Sequence, residues 1–321
     1  MPNPRVAVMG SFVADLAFRT GKMPAWGQTI MGSEFRLGPG GKGSNQAVAA
    51  ARLGANVTFI GKLGHDAFGE LARQTYRAEG IDTSFLFETT EHSTGGAAII
   101  VDEKTGENAI VVVPGACMVL TSEDVESARA GIVNAAAFLT QLEIPVAAVA
   151  RGLRIAKSEG VLTILNPAPA QALPEDIYPL CDYLTPNETE AAALVGRPVT
   201  SLAEAESAAN TLLARGCGGV VVTLGSQGAL VKTAKFTQHV PAIDAGPPIE
   251  TTGAGDAFNG GFAVALAEGL DAVTATRFAC AVAGISVTRH GTAPAMPNRA
   301  EVEALLQREG QSKSAEARLN R

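Results

Sequence analysis

The sequence predicts an α/β chain in three layers, α/β/α, with a small separate β layer. From about residue 137 onward, short β-branched strands alternate with helices, a βαβ rhythm that argues for a largely parallel sheet covered on both faces. Residues of about 16–38 break that rhythm. They are rich in Gly, Pro, Thr and aromatics and alternate like short strands, which marks a small β layer. Finally, 321 residues at 46% apolar and 18% charged suit one large domain with an appendage, or two domains.

In chain order, 6–9 is an apolar strand ended by Gly10-Ser11, and 45–53 is an Ala-rich helix after Gly40-Gly41-Lys42-Gly43. Strand 56–60 and helix 68–79 follow, the helix stopping at Gly80. Segments 97–101 and 109–113, joined by the polar run 102–108, form a hairpin. Strand 137–142, helix 146–159, strands 161–166 and 183–185, helices 188–195 and 201–215, and strand 219–223 carry the parallel sheet. Long helices occupy 256–268 and 271–289, and 309–321 is a polar, charged tail expected to fray.

A net charge of −7 argues against nucleic acid or an anionic membrane as partner. Cys117, Cys181, Cys217 and Cys280 are scattered, with no CxxC pair, and read as reduced, buried thiols of a cytoplasmic protein. No apolar run approaches the ~18 residues that cross a bilayer, and the start is not that of a signal peptide.

The most informative stretch is Glu250-Thr251-Thr252-Gly253-Ala254-Gly255-Asp256, which leads into an apolar helix. A Gly-Ala-Gly turn opening a helix aims backbone N–H groups, reinforced by the helix dipole, into one small space. Asp256 then stands beside a bound anion, placed to take a proton from a hydroxyl as a phosphoryl group arrives. The plainer reading is a helix start with an acidic first turn.

The stretch 38–43 satisfies GxGxxG, but it does not lie at the first strand-to-helix turn and Pro39 interrupts it, which disfavours a nicotinamide enzyme. No Ser or Thr follows Gly-Lys, so it is not a P-loop. Bare backbone beside Lys42 and Asn45 suits a polyhydroxylated ligand; a tight loop with an incidental Lys is the alternative. Asn166-Pro167-Ala168-Pro169 and Thr185-Pro186-Asn187-Glu188 lie where strands run out, the ligand-bearing edge of a parallel sheet. Asn187 and Glu190 either hold waters around Mg²⁺ or form an N-cap with its capping-box acid. Thr223-Leu224-Gly225-Ser226-Gln227-Gly228 is a strand-end loop suited to nucleotide contacts. The four histidines share no metal-ligand spacing, and Cys280 reads first as a core thiol.

Together, Gly40-Gly41-Lys42-Gly43, Thr185-Pro186-Asn187-Glu188, Thr223-Leu224-Gly225-Ser226 and Gly253-Ala254-Gly255-Asp256 resemble the ribokinase group of carbohydrate kinases over residues 5–305. The resemblance implies a ribokinase-like three-layer domain (1–13, 39–95 and 111–308), a β-sheet lid (14–38 and 96–110) and a polar tail (309–321). It implies ATP-dependent phosphorylation of D-ribose at its primary 5-hydroxyl, with Mg²⁺, a K⁺ activator and a homodimer through the lids. A 2-deoxyribose kinase or another sugar or nucleoside kinase is the alternative. A non-catalytic sugar-binding regulator is a further one, against which the intact Asp256 and its glycines argue.

Carried over by position, Val13, Asp15, Gly41, Lys42, Asn45 and Glu143 meet the sugar. Asp256 is the base, and Gly253, Ala254 and Gly255 supply the anion hole. Asn187, Thr223, Gly225, Ser226, Gly228 and Cys280 face ATP, with Gly255, and Glu190 acts through Mg²⁺ waters. Glu250, Thr252, Ser286, Arg289, Gly291 and Ala295 surround the monovalent cation. Three positions depart from the group's pattern: Val13 stands for an Asn that touches the sugar, Glu250 for an Asp of the cation loop, and Ala295 for a Ser.

Overall fold

Strand β1 (Arg5–Met9) has Val6 and Val8 in one buried core and Ala7 and Met9 in another, so it is covered on both faces. The computed structural model describes residues 3–319, with side chains through residue 311. After β1 come β2 (Val13–Thr20), β3 (Glu34–Gly40), α1 (Lys42–Arg52), β4 (Asn56–Gly64), α2 (Ala67–Ala78), β5 (Asp82–Thr89), β6 (Thr94–Asp102) and β7 (Asn108–Gly115). Then follow α3 (Ser122–Ser127), α4 (Arg129–Val133), β8 (Ala137–Thr140), α5 (Val146–Ser158), β9 (Leu162–Leu165), β10 (Tyr183–Leu184), α6 (Glu188–Val195) and α7 (Leu202–Ala214). The chain ends with β11 (Gly219–Thr223), β12 (Ala229–Thr233), β13 (Thr237–Val240), α8 (Ala254–Ala267), α9 (Ala272–Ser286) and α10 (Arg299–Leu319).

The main sheet has the order β13-β12-β11-β10-β9-β8-β1-β4-β5, parallel from β11 to β5 and antiparallel at β12 and β13. Helices α1, α2, α8, α9 and α10 bury their apolar sides on one face, and α3 to α7 on the other. This is the expected three-layer arrangement. Four strands in the order β3-β2-β6-β7 make the separate small sheet.

The small sheet extends beyond the expected 14–38 and 96–110. Its ladders continue to Val13↔Gly40 and Thr94↔Gly115, so strand pairing runs right up to the large domain. Nor do residues 309–321 form a separate tail as far as they are described, since α10 continues to Leu319. Strands β5, β12 and β13 and helices α3 and α4 are not among the expected elements. β5 lies at the sheet edge and is half exposed, which leaves its apolar signal weak.

One packing contact does most to position the site. Gly260 on α8 meets α1 so closely that a Cβ there would sit 2.8 Å from the Gln46 carbonyl oxygen and 2.6 Å from the Ala49 Cβ. Small residues on both helices thus bring the starts of α1 and α8 together. All four cysteines are free and buried. Burial pushes the Cys117, Cys217 and Cys280 thiols up to about 12, and raises Cys181 as well.

Candidate active site

Helix α8 is entered through Gly253 at φ 83, a left-handed N-cap that side chains rarely adopt. The Ala254 N–H closes a turn onto the Thr251 carbonyl at 3.2 Å. The N–H groups of Gly253, Gly255 and Asp256 find no acceptor among the described residues. A Cβ on Gly255 would meet nothing within 4 Å, so open space lies beside these donors. Of the residues expected to supply an anion hole, Gly253 and Gly255 have free N–H groups, joined by that of Asp256, whereas the Ala254 N–H is engaged in its own turn.

The Asp256 carboxylate accepts from Asn45 Nδ2 at 2.9 Å and from Gln46 Nε2 at 3.0 Å. Its burial pushes the carboxyl pKa up, against the Lys42 ammonium and the two amides, while Glu143 pushes the same way as burial. Lys42 is the first residue of α1, after Gly41 at φ 86. Burial works against its charge, yet Asp256, Glu143 and Glu190 together hold the ammonium above its ordinary range.

On the small-sheet side, Glu143 accepts from the Lys42 backbone N–H (2.9 Å) and from Ser11 Oγ (2.5 Å). Asp15, on β2, accepts from Thr292 Oγ1 at 3.2 Å. Burial raises its pKa to about 6 against that hydrogen bond, and the charges of Glu143, Asp256 and Glu250 add to the rise. Val13 is buried at the start of β2, paired with Gly40 and Gly95. Asn45 Oδ1 is buried with no partner, an acceptor that a ligand hydroxyl would satisfy.

A cavity of about 730 Å³ opens from Lys42 and Asp256 along the carboxyl ends of the strands. Asn187, Glu190, Thr223, Gly225, Ser226 and Gly228 line it, as do Gly253, Ala254, Gly255 and Cys280. Val13, Asp15, Gly41, Asn45 and Glu143 are not in its wall and adjoin it through Lys42 and Asp256. Asn187 caps α6 with a complete capping box: its side chain accepts from the Glu190 N–H, and its own N–H donates to Glu190 Oε2 at 2.9 Å. The N-cap reading of this pair is the one observed, and both residues also line the cavity. Burial raises the Glu190 pKa, opposed by the Asn187 N–H and Lys42.

Beside this turn, Glu250 accepts from the Gly291 N–H at 3.0 Å, with His290 Nδ1 at 3.6 Å. The Ser286 carbonyl accepts from the Arg289 N–H at 3.2 Å, and the buried Ala295 donates its N–H to the Thr292 carbonyl. Glu250 and the segment 286–291 are therefore brought together. A carboxylate with backbone carbonyls is a set of hard oxygen donors, which fits an alkali cation. Among the described residues no group of three or more His, Cys, Asp or Glu could hold a metal ion.

The pfkB family carbohydrate kinase model matches residues 3–299. The chain belongs to that family. It is 39% identical over 302 residues to the ribokinase of Haemophilus influenzae, covering 94% of this chain and 98% of that protein. It is 36% identical over 294 residues to the deoxyribokinase of Salmonella typhi, covering 91% and 95%. The structure of Arabidopsis thaliana ribokinase complexed with ribose and ATP superposes with a TM-score of 0.88 at 32% identity, covering 95% of this chain and 99% of that one. The motif resemblance to the ribokinase group is borne out over nearly the whole chain.

In this pfkB-family chain, sequence reasoning missed Thr292, Gln46 and Gln141. Thr292 Oγ1 lies 3.2 Å from both Asp15 Oδ2 and the Pro39 carbonyl, and a Cβ on Gly253 would stand 3.3 Å from its Cα. It joins the segment after α9, the Gly253 turn and the small sheet. The one available signal for Gln46 is a polar residue within an Ala-rich helix face.

Proposed function

We propose that this ATP-dependent sugar kinase phosphorylates D-ribose on its primary 5-hydroxyl. The Asp256 carboxylate carries the reading: two amides hold it at the start of α8, among free backbone N–H groups and beside Lys42. Asp256 takes the hydroxyl proton as the sugar oxygen bonds to the γ-phosphorus. The bond to the ADP oxygen breaks in line, giving ribose 5-phosphate and ADP. The Gly253 and Gly255 N–H groups receive phosphoryl oxygens, and Asp15, Lys42, Asn45 and Glu143 grip sugar hydroxyls.

Glu190 with Asn187 would hold the waters of Mg²⁺, which when bound neutralises charge on the phosphates. Glu250 and the carbonyls of Thr252, Ser286, Arg289 and Gly291, with Ala295 adjoining, would hold K⁺ and fix the turn before phosphate arrives. A homodimer through the lids is supported by the exposed apolar residues Phe35, Leu37, Val111 and Val113 on the small sheet. A cytoplasmic site of action is supported by four unpaired buried thiols. No helix among the described residues is long and apolar enough to cross a membrane.

A second reading, a 2-deoxyribose kinase, is favoured by the apolar Val13 and by the deoxyribokinase relative. ADP release measured with ribose, 2-deoxyribose, other pentoses, hexoses and nucleosides tests both readings. Repeating the assay with K⁺ replaced by a bulky organic cation tests the cation loop. No sugar-dependent ADP release from any of these sugars would overturn the proposal.

A further inference from the structure

Asp256 is held from beneath by a chain of side-chain amides. Gln46, fully buried on α1, uses both N–H bonds of Nε2: one to Asp256 Oδ1 at 3.0 Å and one to Asn166 Oδ1 at 3.1 Å. Its Oε1 accepts from Gln141 Nε2 at 2.5 Å. Asn166 in turn donates Nδ2 to the Thr185 carbonyl at 3.0 Å, which fixes which of its ends faces Gln46.

These contacts leave Gln46 one orientation. Turning its amide over would set Oε1 against two acceptor oxygens, Asp256 Oδ1 and the pinned Asn166 Oδ1, replacing two attractions with two repulsions. The register of the chain is pinned at one end by the Asp256 charge and at the other by the Thr185 carbonyl.

We propose that Gln46, oriented by Asn166 and polarised by Gln141, is a positioning residue that fixes the plane of the Asp256 carboxylate and sustains its charged form for proton abstraction. This rests on Asp256 being the base. A buried carboxylate needs donors to remain ionised. The charged groups facing Asp256 are Lys42 on α1, Glu143 after β8, Glu190 on α6 and Asp15 on β2. Three of the four are carboxylates that oppose its ionisation, so neutral donors must help Lys42 hold the balance. Gln46 and Asn45 are those donors, and both act to lower the Asp256 pKa. Asn45 adjoins the sugar, whereas Gln46 faces the protein interior and is free for this role alone.

The test is Gln46→Met, which keeps side-chain length and removes both N–H groups, assayed for kcat at saturating ribose and MgATP across pH. A hydrogen bond to a charged group supports a loss of roughly 10- to 150-fold near neutral pH. Because the missing donor favoured the ionised form, the acid limb should move to higher pH, making the loss about tenfold larger near pH 6 than near pH 9. The KM for ATP should stay within about threefold. A uniform loss across pH, or an unmoved acid limb in a folded Gln46→Met protein, overturns the proposal.

Should Gln46→Met not fold, Gln141→Met leaves the Gln46 donors in place but removes the hydrogen bond to Gln46 Oε1 that polarises them toward Asp256. It should move the limb the same way by a smaller amount, and an unmoved limb there also overturns the proposal. Asp256→Asn separates the two readings. If it keeps more than about a tenth of kcat, the base assignment fails. If it abolishes turnover while the Gln46 limb is unmoved, only the positioning role fails.

Discussion

Replacing Asp256 by Asn should leave a folded, ligand-binding protein that barely turns over. The two oxygens of Asp256 accept from Asn45 Nδ2 and Gln46 Nε2, so an Asn must point its NH₂ at one of them. Gln46 is locked by Asn166, whose Oδ1 takes its N–H while the Asn166 Nδ2 is held by the Thr185 carbonyl, and it cannot turn. Asn45 can, because its Oδ1 is buried without a partner and a half-turn presents it to the new NH₂. The substitution therefore leaves no orphaned donor pair and also removes a buried charge, so Tm should stay within about 4 °C of wild type. The turned Asn45 loses its acceptor toward the sugar, a cost of about 0.5–1.5 kcal/mol, or roughly 2- to 12-fold in ribose Kd. Turnover is a different matter: with no proton acceptor, kcat should fall by roughly 10²–10⁴-fold, or about 2.7–5.4 kcal/mol of barrier. Coupled ADP release, calorimetric ribose binding and a thermal melt give the three numbers. A variant with unchanged ribose affinity but more than about a tenth of wild-type kcat would refute the reasoning.

Three further outcomes follow from the same site. Val13→Asn should shift preference towards ribose over 2-deoxyribose by roughly 5- to 150-fold in kcat/KM, since an unpartnered sugar hydroxyl against buried Val13 gains a partner; a ratio unmoved by the substitution sinks this. Asp15 is raised from 3.8 to about 6. Such a carboxyl contributes stability below the unfolded value and loses it as pH rises through the folded one. Ionised Asp15 thus costs about 3 kcal/mol at neutral pH, and Asp15→Asn should raise Tm there, less so near pH 4, while weakening the ribose KM; an equal shift at both pH values refutes it. Saturating ribose should slow hydrogen exchange across β2, β3, β6 and β7 if the small sheet closes as a lid, and unchanged exchange counts against closure.

What the sequence made legible is what local backbone geometry demands. Gly41 and Gly253 take positive φ at the starts of α1 and α8, so the residue type itself announces where each helix is entered. The alternation of strands and helices likewise announced the parallel sheet. Contacts between distant segments left no such mark. Thr292 meets Asp15 across 277 residues, and Gln46 meets Asp256 across 210. Nothing in the neighbours of either residue states that meeting. Edge elements were faint for another reason: β5 and β13 are half exposed, and their mixed composition resembles loop. The small sheet was found but cut short, because its ladders end on the Gly- and Pro-bearing segments that composition alone reads as connections.

The four buried cysteines give this enzyme an internal set of opening gauges. At neutral pH a thiol held near 12 has almost no thiolate, so a labelling reagent reacts only when the surrounding structure lets go. Each thiol samples a different district. Cys117 hangs from the Pro114 and Glu143 carbonyls under the root of β7. Cys181 and Cys217 flank β10 and β11 at the middle of the sheet. Cys280 faces the large cavity from α9. Labelling rates resolved by site would therefore rank the local opening of the small-sheet root, the central strands and the cavity wall in a single native-state experiment, with no probe introduced into the chain.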